Sequence, residues 1–131
     1  MVRPGSAYQS QVKASDVAKS TFTVLQRTVP ISIGGIFFLS GGMTEQDATE
    51  CLNEINKIAM VKWGGIKPWH LSFSFGRALQ KSCLAAWNGK DEPKSIKKAQ
   101  DVLYEKAKSN SLATLGNYHR NGELKEESKM G

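Results

Sequence analysis

The stretch from Gly35 to Gly42 limits the possible folds more than any other part of the chain. Its apolar run, Ile36 to Leu39, is too short for a helix and does not alternate with polar residues. Such a run is typical of a strand buried on both faces, as in a parallel sheet. It ends at Ser40-Gly41-Gly42, just before a helix start at Thr44, so backbone N–H groups are left open to a phosphate. Taken alone, such a glycine pair more often marks an ordinary turn.

A second stretch, Leu71 to Arg77, repeats this arrangement. A short apolar strand is followed by Ser74, by Gly76 and then by a fixed cation, Arg77, at the start of a helix. Two successive strand–helix units of this kind converge on one anionic group when their strands are parallel. The loops after the last two strands of (β/α)8 barrels commonly form such a phosphate site. The pair of stretches therefore predicts a phosphate site.

The amino-acid composition limits the classes of binding partner that the chain is expected to have. The chain has 131 residues, with 18 Lys and Arg against 12 Asp and Glu, and a formal charge of +6. This charge is compatible with nucleic acid or a membrane surface. The lysines are scattered rather than clustered with aromatic residues, and no nucleic-acid-binding motif is present, so neither partner is predicted. No apolar run approaches the ~18 residues of a membrane span, and the first residues do not resemble a signal peptide.

Cysteine and histidine positions predict no metal site and no cofactor. Cys51 and Cys83 fall at apolar helical positions without CxxC spacing, which predicts reduced, buried thiols in a reducing compartment. His70 and His119 have no ligand pattern around them.

Periodicity and turn residues predict the element order α-β-α-β-α-α. The predicted elements are a helix from the N-cap Ser15 to about Arg27, a strand at 36–39, a helix from Thr44 to Ile58, a long connection at 59–69, a strand at 71–75, a helix from Arg77 to Trp87, and a helix from Pro93 or Lys94 to Leu112. Two parallel strands cannot cover themselves or satisfy their edges. The sequence therefore predicts part of a larger α/β fold.

The helices are predicted to bury one face each. The predicted inward residues are Val17, Ala18, Phe22, Val24 and Leu25 in the first helix; Ala48, Cys51, Leu52, Ile55 and Ile58 in the second; Leu79, Cys83, Leu84 and Trp87 in the third; and Ile96, Ala99, Val102, Leu103 and Ala107 in the fourth. Thr44 to Asp47 resembles a capping box, and Val29-Pro30 should end the first helix.

Several motifs in one order resemble class I fructose-bisphosphate aldolase, over roughly residues 17–118. They are Leu25-Gln26-Arg27-Thr28-Val29-Pro30, Phe38-Leu39-Ser40-Gly41-Gly42, Asn53-Glu54-Ile55-Asn56-Lys57, Lys67-Pro68-Trp69, Phe73-Ser74-Phe75-Gly76-Arg77-Ala78-Leu79-Gln80, Ala86-Trp87 with Gly89-Lys90, and Asn110-Ser111-Leu112-Ala113-Thr114-Leu115-Gly116-Asn117-Tyr118. The resemblance covers the C-terminal third of that family.

The resemblance implies the C-terminal part of a (β/α)8 TIM barrel, incomplete here, with strands seven and eight and their flanking helices. Residues 1–14 would be the loop after the missing strand six, residues 15–115 the partial barrel, and residues 116–131 a flexible, truncated tail. The family's imine-forming (Schiff-base) lysine and catalytic acids precede Met1, so no catalytic residue is expected in this chain.

The resemblance implies that both stretches bind a phosphate group of the substrate. Ser40 and Gly41 match the family's phosphate-binding Ser-Gly pair, and Arg77 matches an arginine that pairs with a substrate phosphate. The same loops hold three further expected phosphate-binding residues: Gly42, Ser74 and Gly76. The parent enzyme would be a homotetrameric lyase, without metal or cofactor, that cleaves fructose 1,6-bisphosphate. It would act in glycolysis and gluconeogenesis or in the Calvin cycle, in the cytosol or a plastid.

Three departures from the family pattern stand out. The connection from Ile58 to Lys67 is longer than usual, Arg3 replaces a small hydroxyl residue, and the chain ends at Gly131 without the family's terminal tyrosine. The resemblance leans towards plant or algal relatives, and an incomplete sequence is expected. The alternative is an inactive truncated piece that keeps only a phosphate-binding or protein-binding surface.

Overall fold

The computed structural model describes residues 1–120. Its elements are α1 (Ala14–Thr28), β1 (Gly35–Phe38), α2 (Glu45–Lys62), β2 (His70–Phe73), α3 (Arg77–Trp87) and α4 (Pro93–Thr114). The two strands pair in parallel, with Gly35 opposite His70 and Phe38 opposite Phe73. The predicted element order and the parallel pairing are confirmed, and within residues 1–120 the sheet has two strands.

Helix α1 begins after the extended backbone of Lys13, and no side chain caps it. The predicted N-cap at Ser15 is therefore wrong, because Ser15 already lies inside the first turn. The helix stops at Thr28, and Val29 returns to extended backbone before Pro30, as predicted. Val17, Ala18 and Phe22 are buried as predicted, whereas Val24 is 46% exposed.

Strand β1 is buried on one face only. Phe38 is 5% exposed and packs in the core, whereas Phe37 and Leu39 are 60% and 70% exposed. The predicted burial on both faces is therefore wrong for this chain. Successive side chains of a strand point to opposite faces, and the described helices cover one face of this sheet. The strand also starts and ends one residue earlier than the predicted 36–39.

Helix α2 is the central helix of the core. The Asp47 N–H donates to Thr44 Oγ1 at 3.0 Å, which confirms the predicted cap. Among the predicted inward residues, Ala48, Cys51, Leu52 and Ile55 are buried and Ile58 is half-buried. The helix continues to Lys62, so the long connection begins at residue 63 and not at residue 59.

The inward faces of α3 and α4 were predicted less well. The bounds of α3 match the prediction, but its buried residue is Ala78, while Leu84 and Trp87 are exposed. Helix α4 buries the predicted Ala99, together with Asn110 and Ala113, but leaves Ile96 and Leu103 exposed. These two helices pack on each other at the edge of the described fold, so part of each apolar stripe has no cover among residues 1–120.

The residues after α4 return to α2. The Tyr118 N–H donates to Asn53 Oδ1 at 2.9 Å, and Asn53 Nδ2 donates to the Tyr118 carbonyl at 3.2 Å. Residues 116–118, assigned to the tail by sequence, are thus fixed to the core. The predicted tail from residue 121 onward lies outside the described residues.

Of the loop predicted for residues 1–14, residues 1–13 contain no helix or strand, and Ala14 begins α1. The Val2 N–H donates to Thr21 Oγ1 at 2.8 Å, which attaches this loop to α1. Among residues 1–120, no helix is both long and apolar enough to cross a membrane.

Candidate phosphate site at the carboxyl ends of the strands

The turn after β1 forms the first half of the candidate site. The Met43 N–H donates to the Ser40 carbonyl at 2.9 Å, which closes a four-residue turn. Gly42 has a φ of +70°, a backbone conformation that glycine adopts without strain. A Cβ atom added at Gly41 or Gly42 would meet nothing within 4 Å, so the space beside the turn is open to a ligand.

The segment between β2 and α3 forms the second half. The Ser74 N–H donates to the Phe38 carbonyl at 2.9 Å and so holds this segment against the end of β1. Gly76 is the N-cap residue of α3, and no side chain caps this helix. Arg77 is the first helical residue. Free N–H groups at a helix start, next to an arginine, favour an anion.

The structure brings both halves to one cleft. An open cleft of about 740 Å³ is lined by all six residues predicted to bind phosphate: Ser40, Gly41, Gly42, Ser74, Gly76 and Arg77. Parallel strands place their carboxyl ends at the same edge of the sheet, which explains why stretches some thirty residues apart meet here. Their role in binding phosphate stays a prediction.

The cleft also contains charged residues that the sequence did not indicate. Lys81, one turn after Arg77, lines it, and so do Glu45 and Lys106. Helical spacing from Arg77 would have identified Lys81. Lys106 lies on α4, and nothing distinguishes it from the other lysines in the sequence.

Glu45 is held by two partners. Glu45 Oε1 accepts from the Ser82 N–H at 3.0 Å, and Glu45 Oε2 lies 3.1 Å from Lys106 Nζ and accepts from the Ser82 hydroxyl. Burial by itself would raise the pKa of this carboxyl, but the hydrogen bonds from Ser82 and Lys106 outweigh burial and hold the pKa below its usual value. Glu45 is therefore a carboxylate near neutral pH. Among residues 1–120, Arg77 forms no ion pair.

A second, larger cleft of about 920 Å³ is less suited to a phosphate. It lies between the N-terminal loop and α2 and is lined by Arg3 and Arg120 as well as by the carboxylates of Asp47 and Glu50. Such mixed charge gives a dianion little net attraction. Cys51 also lines this cleft, but burial raises the pKa of its thiol to about 11, which keeps it protonated and unreactive. Cys51 is buried as predicted, whereas Cys83 is half-buried, and both are free thiols.

One lysine has a perturbed pKa but lies elsewhere. Burial lowers the pKa of Lys67, which would suggest a functional role. However, Lys67 Nζ donates to the Thr114 carbonyl at 3.0 Å and also donates to Asn56 Oδ1. Lys67 also precedes β2, at the opposite end of the strand from the cleft. It is a structural residue.

Comparison with known proteins gives a consistent result. The family model described as fructose-bisphosphate aldolase class-I matches residues 1–130. The chain is 52% identical to a cytoplasmic isozyme of fructose-bisphosphate aldolase from Cicer arietinum, over 96% of this chain and 33% of the relative. It is 49% identical to fructose-bisphosphate aldolase 1 of Caenorhabditis elegans, over 90% of this chain and 31% of the relative. It is 44% identical to a chloroplastic fructose-bisphosphate aldolase of Oryza sativa, over 96% of this chain and 30% of the relative.

A solved structure shows the same relationship. The fructose-bisphosphate aldolase of Plasmodium falciparum, solved in complex with TRAP and a small-molecule inhibitor, superposes with a TM-score of 0.82 at 43% identity. The match covers 91% of this chain and 32% of that one. The chain thus spans about a third of the length of the relatives it matches.

Proposed function

Because this chain belongs to the class I fructose-bisphosphate aldolase family, we propose that it is the C-terminal third of such an enzyme and supplies its grip on a substrate phosphate. The observation that carries the proposal is the cleft at the carboxyl ends of β1 and β2, where all six residues predicted to bind phosphate converge. We call these six residues the phosphate grip: Ser40, Gly41, Gly42, Ser74, Gly76 and Arg77.

The rest of the fold would be a (β/α)8 barrel, in which β1 and β2 are strands seven and eight. Two observations support this. Phe37 and Leu39 expose the face of β1 opposite the helices, which would be the barrel interior. The two-stranded sheet also has two unpaired edges among the described residues, and these would pair with strands six and one.

Each part of the phosphate grip has a distinct role. Gly41 and Gly42 let the ligand approach the backbone, and the N–H groups at the start of α3 point towards an anion. The guanidinium of Arg77 pairs with two phosphate oxygens through two parallel hydrogen bonds. Holding one end of the substrate places its carbonyl carbon against the lysine amine of the preceding strand, which lowers the barrier through orientation.

The parent enzyme would cleave fructose 1,6-bisphosphate to glycerone phosphate and glyceraldehyde 3-phosphate. The upstream lysine forms an imine with the substrate carbonyl, the imine withdraws electrons, and the C–C bond breaks. No metal or cofactor enters this reaction. The enzyme would be a homotetramer of the cytosol or a plastid, in glycolysis and gluconeogenesis or the Calvin cycle. The alternative is a truncated product without the lysine, which would be catalytically inactive and keep only a phosphate-binding or protein-binding surface.

The test uses a complete barrel. Residues 1–131 replace the matching residues of the Cicer arietinum isozyme, the family's C-terminal segment with its terminal tyrosine is kept after them, and we call this protein the joined enzyme. It should cleave fructose 1,6-bisphosphate. Arg77→Ala should lower kcat/KM by about 30- to 1,000-fold, equivalent to about 2–4 kcal/mol for a charge-assisted bidentate pair. Arg77→Lys should recover only part of this loss, because an ammonium does not reproduce the planar fork of a guanidinium.

The matched control is Arg27→Ala. Arg27 is an exposed arginine in the last turn of α1 and does not line the cleft. It should leave kcat/KM within about twofold, as is usual for surface substitutions away from a site. If Arg77→Ala changed thermal stability but not kcat/KM, Arg77 would be a structural residue and the phosphate assignment would be wrong.

A further inference from the structure

A carboxylate lies among the cations of the cleft. Glu45 is the first residue of α2 and lines the cleft together with Arg77 and Lys81. A carboxylate repels a phosphate dianion, so Glu45 is not suited to touch the substrate. Its position next to the phosphate grip therefore requires a different explanation.

The contacts of Glu45 join three helices. Ser82 donates to it from α3, through both its backbone N–H and its hydroxyl, and Lys106 pairs with it from α4. The carboxylate itself belongs to α2. We call this group of Glu45, Ser82 and Lys106 the helix tie.

The helix tie lies where the two halves of the phosphate grip meet. Helix α2 starts directly after the turn at 40–43, and α3 starts with Arg77. A bond between the first residue of α2 and Ser82 of α3 thus fixes the glycine turn relative to Arg77. Apolar contact alone would permit small shifts between two helices, whereas paired hydrogen bonds to one carboxylate set both distance and direction.

The helix tie also bears on the charge of Arg77. The carboxylate oxygens of Glu45 accept from three donors, and Lys106 supplies a compensating positive charge. Glu45 is thereby engaged, and Arg77 has no ion-pair partner among residues 1–120. The guanidinium is left available for a phosphate.

We propose that Glu45 is a positioning residue for the phosphate grip: through Ser82 and Lys106 it fixes the start of α3 against the turn after β1 and leaves Arg77 free for the substrate. This inference rests on the proposed function. It assigns Glu45 no contact with the substrate.

The test is steady-state kinetics of the joined enzyme carrying Glu45→Gln, well below the temperature at which it unfolds. The amide keeps the size of the side chain but loses the charge that holds Lys106. We expect KM for fructose 1,6-bisphosphate to rise by about 5- to 20-fold, with kcat changed less than about threefold, because the weakened phosphate contact is made in the ground state and in the transition state alike. Inhibition by inorganic phosphate should weaken in parallel.

Two controls separate positioning from a general structural effect. Glu54→Gln makes the same change on the same helix, in a carboxylate that pairs at 2.9 Å with Lys57 and does not line the cleft. It should leave KM within about twofold. In an Arg77→Ala background, Glu45→Gln should also change KM by less than about twofold, because the group that it positions is gone.

Ser82→Ala is the milder variant should Glu45→Gln not fold. It removes the hydroxyl donor but keeps the backbone donor, so KM should rise by about 2- to 5-fold, again only when Arg77 is present. The inference is overturned if neither variant raises KM, or if KM rises equally with and without Arg77. Failure of the joined wild-type enzyme to cleave the substrate, or an unchanged kcat/KM in Arg77→Ala, would instead count against the proposed function.

Discussion

Asn56 shows how a single buried polar residue fixes the position of its neighbours. It is completely buried in α2. Asn56 Nδ2 donates to the Leu52 carbonyl at 3.0 Å and to the Leu71 carbonyl of β2 at 3.2 Å, and its Oδ1 accepts from Lys67. Lys67 in turn binds the last turn of α4 through the Thr114 carbonyl. One amide thus connects the central helix to the strand that leads to the cleft.

Replacing Asn56 by alanine should be strongly destabilising. The Leu71 carbonyl would lose a buried donor and Lys67 would lose an acceptor, and each unpaired group costs about 1–3 kcal/mol. We expect a loss of about 2–4 kcal/mol in the free energy of unfolding, measured by urea unfolding of the joined enzyme. Asn117→Ala, at an exposed side chain, is the control and should change the free energy by less than about 0.5 kcal/mol. A similar small change in Asn56→Ala would show that this network contributes little.

At the scale of helices, the local sequence determines where each helix begins and ends. It does not determine how the helices lie relative to one another. Helix α4 ends in a motif that glycine allows: Gly116 has a φ of +71°, and the Asn117 N–H donates to the Leu112 carbonyl at 3.0 Å. Helix α3 ends at Trp87, and its C-cap residue Asn88 has the left-handed backbone conformation. The relative placement of α2, α3 and α4, by contrast, involves residues far apart in the sequence, such as Glu45, Ser82 and Lys106 of the helix tie.

The helix tie should weaken in acid. The pKa of Glu45 in the folded protein lies below the usual pKa of a glutamate, so the folded state favours the carboxylate. Its stabilising contribution is present above the unfolded pKa of about 4.3 and is lost as the pH falls through the lower folded pKa. The difference in urea midpoint between the joined enzyme and its Glu45→Gln variant should therefore be constant from about pH 6 to 8 and shrink below about pH 4. A difference that does not depend on pH would mean that the charge of Glu45 is not what stabilises the tie.

At the scale of the molecule, the described fold leaves a large apolar surface uncovered. Phe37 on β1, Leu39 directly after it, and Ile31 and Ile33 before it are exposed, and so are Leu84 and Trp87 on α3. The sheet has two strands among residues 1–120, so one edge of each is unpaired. Edges and apolar faces of this kind normally lie inside a fold or an interface.

We therefore expect the isolated 131-residue chain to be neither cooperatively folded nor active. Its thermal unfolding transition should be broad, because a core with uncovered apolar faces lacks the packing that makes unfolding all-or-none. Borohydride reduction in the presence of dihydroxyacetone phosphate should label the joined enzyme at the upstream lysine and leave the isolated chain unlabelled. A sharp thermal transition with a dispersed NMR spectrum would contradict the first expectation, and a stable adduct on the isolated chain the second.

The sequence alone determined the features that depend on short-range geometry. Thr44 as a cap, the stop at Val29-Pro30, the glycine turn after β1 and the start of α3 at Arg77 were all predictable, because the residues responsible lie within a few positions of one another. The same stretches predicted that the six residues of the phosphate grip would lie together, since the carboxyl ends of parallel strands meet at one edge of a sheet, and all six line one cleft.

Only the tertiary structure decided what depends on distant neighbours. Hydrophobic periodicity does not show which elements cover each face of a strand or helix. Coverage decides the exposure of Phe37 and Leu84 and the burial of Ala78. The helix tie is the clearest case, because Glu45, Ser82 and Lys106 lie on three helices and each resembles an ordinary surface residue in the sequence. Their meeting point is set by packing around α2, which brings together charges that the linear sequence keeps far apart.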